Sequence, residues 1–305
     1  MKVFNMLIGL PGSGKSTVAQ KIKDEVISLN KVEVEIVSSD SIRKELYGNE
    51  EIQGDPQKVF TLMKQRSKQA LLEDKYVIYD ACNINYKQRM DTLNYLKNIK
   101  CFKSASVCWA PYEVCLKRNQ ERERKVPEYV IARMLKNYYA PCYWEGWDAI
   151  SYYYNYKPDK NLFDFVGETG KYNQQNSHHS LSLGFHCMKT VSYIDSSLGK
   201  DIAYAGMLHD CGKPLTQTSL NKKGEEDSEM HYYGHDHAGG WECIKYTSEV
   251  TTERDIVNIA GLVTWHMRPF AWEKNKKLEE KEEKLFKKDF YNSIKILHEA
   301  DVKAH

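Results

Sequence analysis

No histidine precedes His178, although ten lie from there to His305. The one side chain that titrates near neutrality and readily ligates metals is confined to the C-terminal part, which points to two domains with different chemistry. The eight cysteines contain no C-x-x-C pair, which excludes a zinc ribbon. With an N-terminus that lacks the charged-then-apolar order of a secretory signal, this leads to the expectation of a reducing cytoplasm. No apolar run approaches the roughly 18–20 residues needed to cross a bilayer, so no membrane partner is expected. The formal net charge of +2 is too small for bulk charge to argue for nucleic acid; such a partner has to be argued from sites. Repeats and low-complexity tracts are absent too. What remains is a chain of 305 residues, 41% hydrophobic and 28% charged, long enough for two sizeable cores.

What is present begins with Gly9 to Thr17, GLPGSGKST, after the apolar run Val3 to Ile8 and before an amphipathic stretch through Leu29. This is the pattern GxxxxGK[ST]. Its glycines let successive backbone N–H groups turn onto a phosphate, its Lys reaches the outer phosphates, and its hydroxyl ligates Mg²⁺ at a helix N-terminus. Gly12, Ser13, Gly14, Lys15, Ser16 and Thr17 are therefore expected to hold ATP or another nucleoside triphosphate with Mg²⁺.

Strands are expected at Val3 to Ile8, Val32 to Val37, Tyr76 to Tyr79, Phe102 to Trp109 and Ala149 to Tyr154. Helices are expected after Lys15 and at Gln57 to Glu73, Tyr86 to Lys97, Tyr112 to Arg122 and Glu128 to Tyr138. The alternation predicts an α/β domain, a parallel sheet flanked by helices, whose ligands sit at the carboxyl ends of the strands.

Three groups fall there. Asp40 and Arg43, in SSDSIRKEL, can take the proton of an attacking hydroxyl and hold an acceptor phosphate; a helix N-cap at Ser39, Asp40 or Ser41 is the competing reading. Asp80 ends an apolar strand in KYVIYDACNIN, where a carboxylate supports Mg²⁺ or its water shell, or simply forms a turn. Arg118, Arg122 and Arg124, in LKRNQERERKVP, can close over a transferring phosphate, although Glu121 and Glu123 between them also suit a solvated helix face.

GLPGSGKST, DSIR, DACNIN and KRNQERERKVP together resemble the P-loop module of the bacteriophage-type polynucleotide 5′-hydroxyl kinases, over roughly residues 1 to 157. The resemblance implies that Asp40 is the general base on a 5′-OH, that Arg43 holds the acceptor's phosphate, and that Arg122 is the lid arginine. Where that family shows a short D-x-N turn, this chain has Asp80-Ala-Cys-Asn83, so Asp80 and Asn83 depart from the pattern.

Tyr138 to Tyr156 carries seven tyrosines and two tryptophans. Stacking of unpaired bases is one use of such a stretch; a closing strand and an inter-domain contact is the expectation adopted. A linker is placed over residues 158–173, which include Pro158, Gly167 and Gly170, and a second domain over 174–305.

That second domain is expected to be all helical. His209 and Asp210 end an apolar helix that Gly212, Lys213 and Pro214 then break. Imidazole beside carboxylate suits first-row divalent metals, and the carboxylate can bridge two ions. The order of histidines and aspartates resembles the metal-dependent HD phosphohydrolase superfamily. The resemblance implies that His186, the His209–Asp210 doublet and Asp301 are metal ligands and that His235 and His266 complete a second metal. Mn, Fe, Co, Ni and Zn all suit such a set. Lys213 can neutralise a substrate phosphate or be a solvated Lys. His178, His179, His231 and His237 remain candidates for phosphate contact. His298 and His305 are unassigned, and Glu273 to Asp289 is expected to be an exposed helix.

The combination resembles the HD-plus-kinase enzymes that heal nucleic-acid ends. It implies a bifunctional enzyme that phosphorylates 5′-OH ends and hydrolyses 2′,3′-cyclic phosphate and 3′-phosphate ends, RNA favoured, with an RNA ligase acting downstream. A small-molecule or nucleotide kinase fused to an HD nucleotide phosphohydrolase is the alternative, and a nucleotide-sensing or RNA-binding module without turnover is the third reading.

Overall fold

The computed structural model describes residues 2–177 and 180–305. In chain order the first elements are β1 (Val3–Ile8), α1 (Lys15–Asn30), β2 (Val34–Ser38), α2 (Ser39–Tyr47), α3 (Pro56–Leu72), β3 (Tyr76–Asp80), α4 (Tyr86–Tyr95), β4 (Phe102–Trp109), α5 (Tyr112–Glu121), α6 (Glu128–Leu135) and β5 (Ala149–Tyr154). Then follow α7 (Leu162–Thr169), α8 (Leu183–Ser192), α9 (Lys200–Leu208), α10 (Lys213–Thr216), β6 (Thr218–Leu220), β7 (Glu226–His231), α11 (His235–Glu242), α12 (Glu253–Trp265), α13 (Pro269–Lys274), α14 (Lys276–Phe286) and α15 (Lys288–Ala304). The chain divides into two compact units, one of residues up to Ile131 with Glu145–Lys157, the other of Ala132–Trp144 with Pro158–His305.

The first unit is a five-stranded sheet in the order β2-β3-β1-β4-β5. Every pairing in it is parallel. Strands that run parallel must be joined by crossovers, and the helices supply them. Leu7, Ile78 and Cys108 of three adjacent strands pack with Val18, Ala19 and Ile22 of α1 into one buried cluster. The chain leaves β1 toward β2 and later returns to its other side at β4, so the end of β1 is the switch point where open parallel sheets bind ligands. Helix starts follow local chemistry. Asp55 accepts a hydrogen bond from the Gln57 N–H just ahead of Pro56, and Asn85 accepts one from the Lys87 N–H.

Arg89 of α4 is locked into this unit by two parallel hydrogen bonds, from Nε and Nη2 to the Glu145 carboxylate at 2.7 and 2.6 Å. Both side chains are fully buried, and Trp147 Nε1 donates to the same carboxylate at 3.1 Å. Removing one member of a buried pair strands the other charge, so Arg89→Ala is expected to cost about 3–5 kcal/mol, measured as a lowered urea midpoint.

The second unit is largely helical but not wholly so. The helical character expected of it holds, with one addition: β6 and β7 form a short antiparallel hairpin joined through residues 221–225. The expected linker over 158–173 carries α7, whose capping box is formed by Asn161 and Asp164 and whose Phe165 is buried. Residues 132–144, expected in the first domain, belong to this unit, where Tyr138 stands edge-on to Trp241 and Trp144 packs on Trp265 and Phe286. Nor is Glu273 to Asp289 one exposed helix. Glu282 and Phe286 of α14 are buried, and the Glu282 carboxylate takes hydrogen bonds from Arg268 and Trp272. Among the described residues no helix is long and apolar enough to cross a membrane.

Candidate functional site

The loop between β1 and α1 turns on two left-handed glycines, Gly12 at φ +81° and Gly14 at φ +93°. Gly12 has no room for a side chain: a Cβ there would lie 2.2 Å from the Cys115 carbonyl oxygen. A non-glycine residue in the left-handed region costs about 1–2 kcal/mol before any clash, roughly tenfold in an affinity. Gly12→Ala is therefore expected to weaken nucleotide binding by more than that, measured by fluorescent-nucleotide titration.

Lys15 Nζ donates to the Gly9 and Leu10 carbonyls at 3.1 and 2.9 Å, which holds the ammonium inside the loop. Burial acts against its charge, but electrostatic interactions with Cys82, Asp80, Cys108 and Cys115 together raise its pKa. Asp80 ends β3 level with Ser38 of β2. Burial raises its pKa, Lys15 opposes the rise and Asp40 adds to it. Asn83, at φ +49°, donates to the Leu7 and Ala81 carbonyls at 2.7 and 3.2 Å and so ties the β3 turn to β1.

Asp40 lies in the first turn of α2, whose N-cap is Ser38. Capping by Ser39, Asp40 or Ser41 is thus not what the structure shows. One carboxylate oxygen of Asp40 accepts from Arg43 Nη1 at 2.8 Å and the other meets Arg124 Nη1 at 2.8 Å. The three arginines grouped in the sequence diverge. Arg124 reaches Asp40 and, at 3.7 Å, Glu50. Arg122 donates to Asn119 Oδ1 at 2.7 Å, and burial, then the charge of Arg124, lowers its pKa. Arg118 donates to the Asn155 carbonyl at 3.1 Å.

Asn155 is a residue the sequence reading passed over. Its Nδ2 donates to the Ser13 carbonyl at 2.8 Å, and it fills the space beside Gly14, where an added Cβ would lie 2.5 Å from Nδ2. Its place one residue beyond an expected strand was the available signal.

In the second unit five helices bring six side chains together. His186 comes from α8, His209 and Asp210 follow α9, His235 opens α11, His266 follows α12 and Asp301 lies on α15. Gly212 permits the closeness, since a Cβ there would lie 2.1 Å from the His235 carbonyl. All six side chains are buried. His186 Nε2 lies 3.3 Å from His209 Nε2, 3.0 Å from Asp301 Oδ1 and 3.6 Å from Asp210 Oδ2. His235 Nε2 lies 3.3 Å from His266 Nε2 and 3.2 Å from Asp210 Oδ1. Asp210 thus turns one oxygen to each group, His186–His209–Asp210 on one side and Asp210–His235–His266 on the other.

The backbone sets which ring nitrogen points inward. His209, His235 and His266 place Nδ1 at 2.8, 2.8 and 2.7 Å from the carbonyls of Gly206, Tyr232 and Val263. A carbonyl only accepts, so each Nδ1 carries a proton and each ring turns its Nε2 toward the cluster. Nε2 atoms and carboxylate oxygens gathered at these distances form groups that could hold a metal ion. Burial and the neighbouring His209 and His235 push the His266 pKa down to about 4, which keeps that ring neutral. Against the effect of burial, Asp210 and Asp301 raise the pKa of His209 well above its ordinary value, and Lys213 and His209 hold Asp210 well below the usual carboxylate range. The donor set therefore fits divalent transition metals.

Lys213 is buried. Its Nζ lies 2.7 Å from Asp210 Oδ2 and donates to Gln174 Oε1 at 2.6 Å. It faces inward as the counter-charge of Asp210, an arrangement that the solvated alternative did not anticipate. Gln174 was also passed over, with no signal in its neighbours to mark it. His231 pairs with Asp227 at 2.9 Å, and the His237 ring lies 4.2 Å from that of Tyr139; neither is among the metal-capable groups of the described residues. His178 and His179 lie outside the described residues.

The molecule is thus a parallel five-stranded α/β P-loop domain followed by a largely helical region with His/Asp clusters. Residues 5–141 match the model of the family described as AAA domain. The L-seryl-tRNA(Sec) kinase of Methanococcus maripaludis is 32% identical over 150 residues, 47% of this chain and 55% of the relative. The chain therefore spans about half the length of the curated relative it matches. Similar solved structures include the Pnkp1/Rnl/Hen1 RNA repair complex, at 21% identity over 44% of this chain and 42% of that one with TM-score 0.38. Another is the Mycobacterium tuberculosis APS kinase CysC in complex with AMPPNP and APS, at 16% identity over 55% and 94% with TM-score 0.39.

Proposed function

We propose that the chain is a bifunctional nucleic-acid end-healing enzyme: a P-loop kinase that phosphorylates 5′-OH ends, joined to a metal-dependent phosphoesterase that clears 2′,3′-cyclic phosphate and 3′-phosphate ends, with RNA as the favoured substrate. The observation that carries the reading is the pairing of two unlike sites, a P-loop with Asp40 held by two arginines, and an aspartate shared between two histidine groups. On one and the same phosphate the two activities would cancel. On opposite ends of a break both are needed before a ligase can act.

In the kinase, Gly12 to Thr17 would cradle the triphosphate, and Ser16 and Asp80 would hold Mg²⁺. Asp40 takes the proton of the acceptor hydroxyl while Arg43 orients the acceptor's phosphate. Arg122 steadies the transferring group. The kinase named among the relatives acts on an aminoacylated tRNA, which agrees with a hydroxyl carried on RNA as acceptor.

In the esterase, His186, His209, Asp210 and Asp301 would hold one ion and Asp210, His235 and His266 the other. When bound, such a pair lowers the pKa of a bridging water and clamps the phosphate for in-line displacement. The chain's own part is to fix the imidazole tautomers through backbone carbonyls and to keep Asp210 ionised through Lys213.

The test offers γ-labelled ATP with a 5′-OH RNA oligonucleotide, the matching DNA and free nucleosides, and in parallel a 2′,3′-cyclic phosphate end to Mn²⁺-loaded protein. Label on oligonucleotide ends and loss of the cyclic phosphate are expected. Label on nucleosides alone would replace the reading by a small-molecule kinase.

A further inference from the structure

We infer that His305 is an additional protein ligand to the metal held by His186, His209, Asp210 and Asp301, which widens the difference in ligand number between the two metal positions. The inference rests on the metal-site reading above.

Asp301 and His305 are one helical turn apart, which places both side chains on the same face. His305 Nε2 lies 3.6 Å from Asp301 Oδ1, and the His305 and His186 rings are 4.8 Å apart between centroids. His186, Asp301 and His305 offer ligand atoms that all lie within 4.8 Å of one another. Three imidazole nitrogens therefore surround one carboxylate oxygen, with His186 at 3.0 Å, His209 at 3.3 Å and His305 at 3.6 Å from Asp301 Oδ1. Ligand atoms held about 2.0–2.2 Å from one ion lie about 3–3.5 Å from each other, and the separations of these nitrogens from the oxygen fall close to that spacing. The His305 side chain is about one-third exposed at 34%, whereas those of His186 and His209 are buried, so it approaches the cluster from the solvent side.

The consequence is a difference in donor count. The first position would draw on two groups that share His186: His186, His209 and Asp210, and His186, Asp301 and His305, so that His305 enters through His186 and Asp301. The second gathers the two nitrogens of His235 and His266 with the other Asp210 oxygen. More protein donors mean tighter retention and fewer positions left for water or a phosphate oxygen. The first ion is thereby the retained, structural one of the pair, and the second keeps open coordination for substrate.

Full-length protein stripped with chelator is titrated with Mn²⁺, the free ion being followed by its EPR signal. The unaltered protein is expected to take up two ions per chain in a tight and a weak class. His305→Ala is expected to weaken the tight class by about 10–100-fold, the scale of a lost support to a metal site, and to leave the weak class unchanged. His298→Ala, on the same helix with its Nε2 3.4 Å from Glu273, is the control and should change neither class. Equal tight-class affinity in His305→Ala and unaltered protein overturns the inference while leaving the metal-site reading intact. An equal loss in His298→Ala assigns the effect to the helix and overturns it as well. No uptake by unaltered protein overturns both readings.

Discussion

Asp210→Asn is expected to weaken uptake of both metal ions together by about 100-fold or more, because even indirect supports of a metal site are worth about 10–100-fold and this carboxylate serves both positions. His266→Ala, by contrast, should affect the second position alone. Equilibrium dialysis against Mn²⁺ with elemental analysis separates the two. The same change strands Lys213, whose Nζ lies 2.7 Å from Asp210 Oδ2 in a buried setting, at an expected cost of about 3–5 kcal/mol. Loss of fold and loss of ligand are therefore tested apart. Adding Lys213→Met to Asp210→Asn removes the stranded charge and should restore the thermal midpoint without restoring metal. If the double variant recovers both, Asp210 acts on the fold and not on the ions.

Asp40→Asn is expected to lower phosphoryl transfer by about 10²–10⁴-fold, the usual contribution of a positioned general base, while ATP affinity stays unchanged. The contacts that give Asp40 its place are to Arg43 and Arg124 at 2.8 Å each, and they are separate from the loop that Lys15 closes onto. Asparagine keeps the shape and an oxygen for one arginine but takes no proton. The expectation holds for any hydroxyl acceptor, so it does not depend on whether the acceptor is RNA. Single-turnover transfer with saturating ATP is the measurement, and an unaltered rate would remove Asp40 from proton transfer.

The parts of the fold legible in the chain are those written in local pattern. Apolar runs bounded by turn residues marked all five strands of the parallel sheet, with the start of β2 displaced by two residues, from Val32 to Val34. The hairpin of β6 and β7 was not legible, because its residues are mostly polar, none is buried, and its main signal is backbone pairing. The buried face of α14 was hidden for a related reason: Glu282 looks like one more surface charge until Arg268 and Trp272 are brought to it.

Side-chain chemistry divides along the same line. GLPGSGKST and the His-Asp doublet carry their meaning within a few consecutive residues, and the crowding of all histidines beyond His178 separates two chemistries without any coordinates. The partner of each charge is a different kind of fact. That Arg124, and neither Arg118 nor Arg122, joins Arg43 on Asp40, that Lys213 turns inward to Asp210, that Asn155 braces Ser13 and that His305 meets Asp301 all follow from where distant helices and strand ends come to rest. A guanidinium, ammonium or imidazole fits any nearby carboxylate equally well in composition; distance and burial alone choose among them, and the folded chain supplies both.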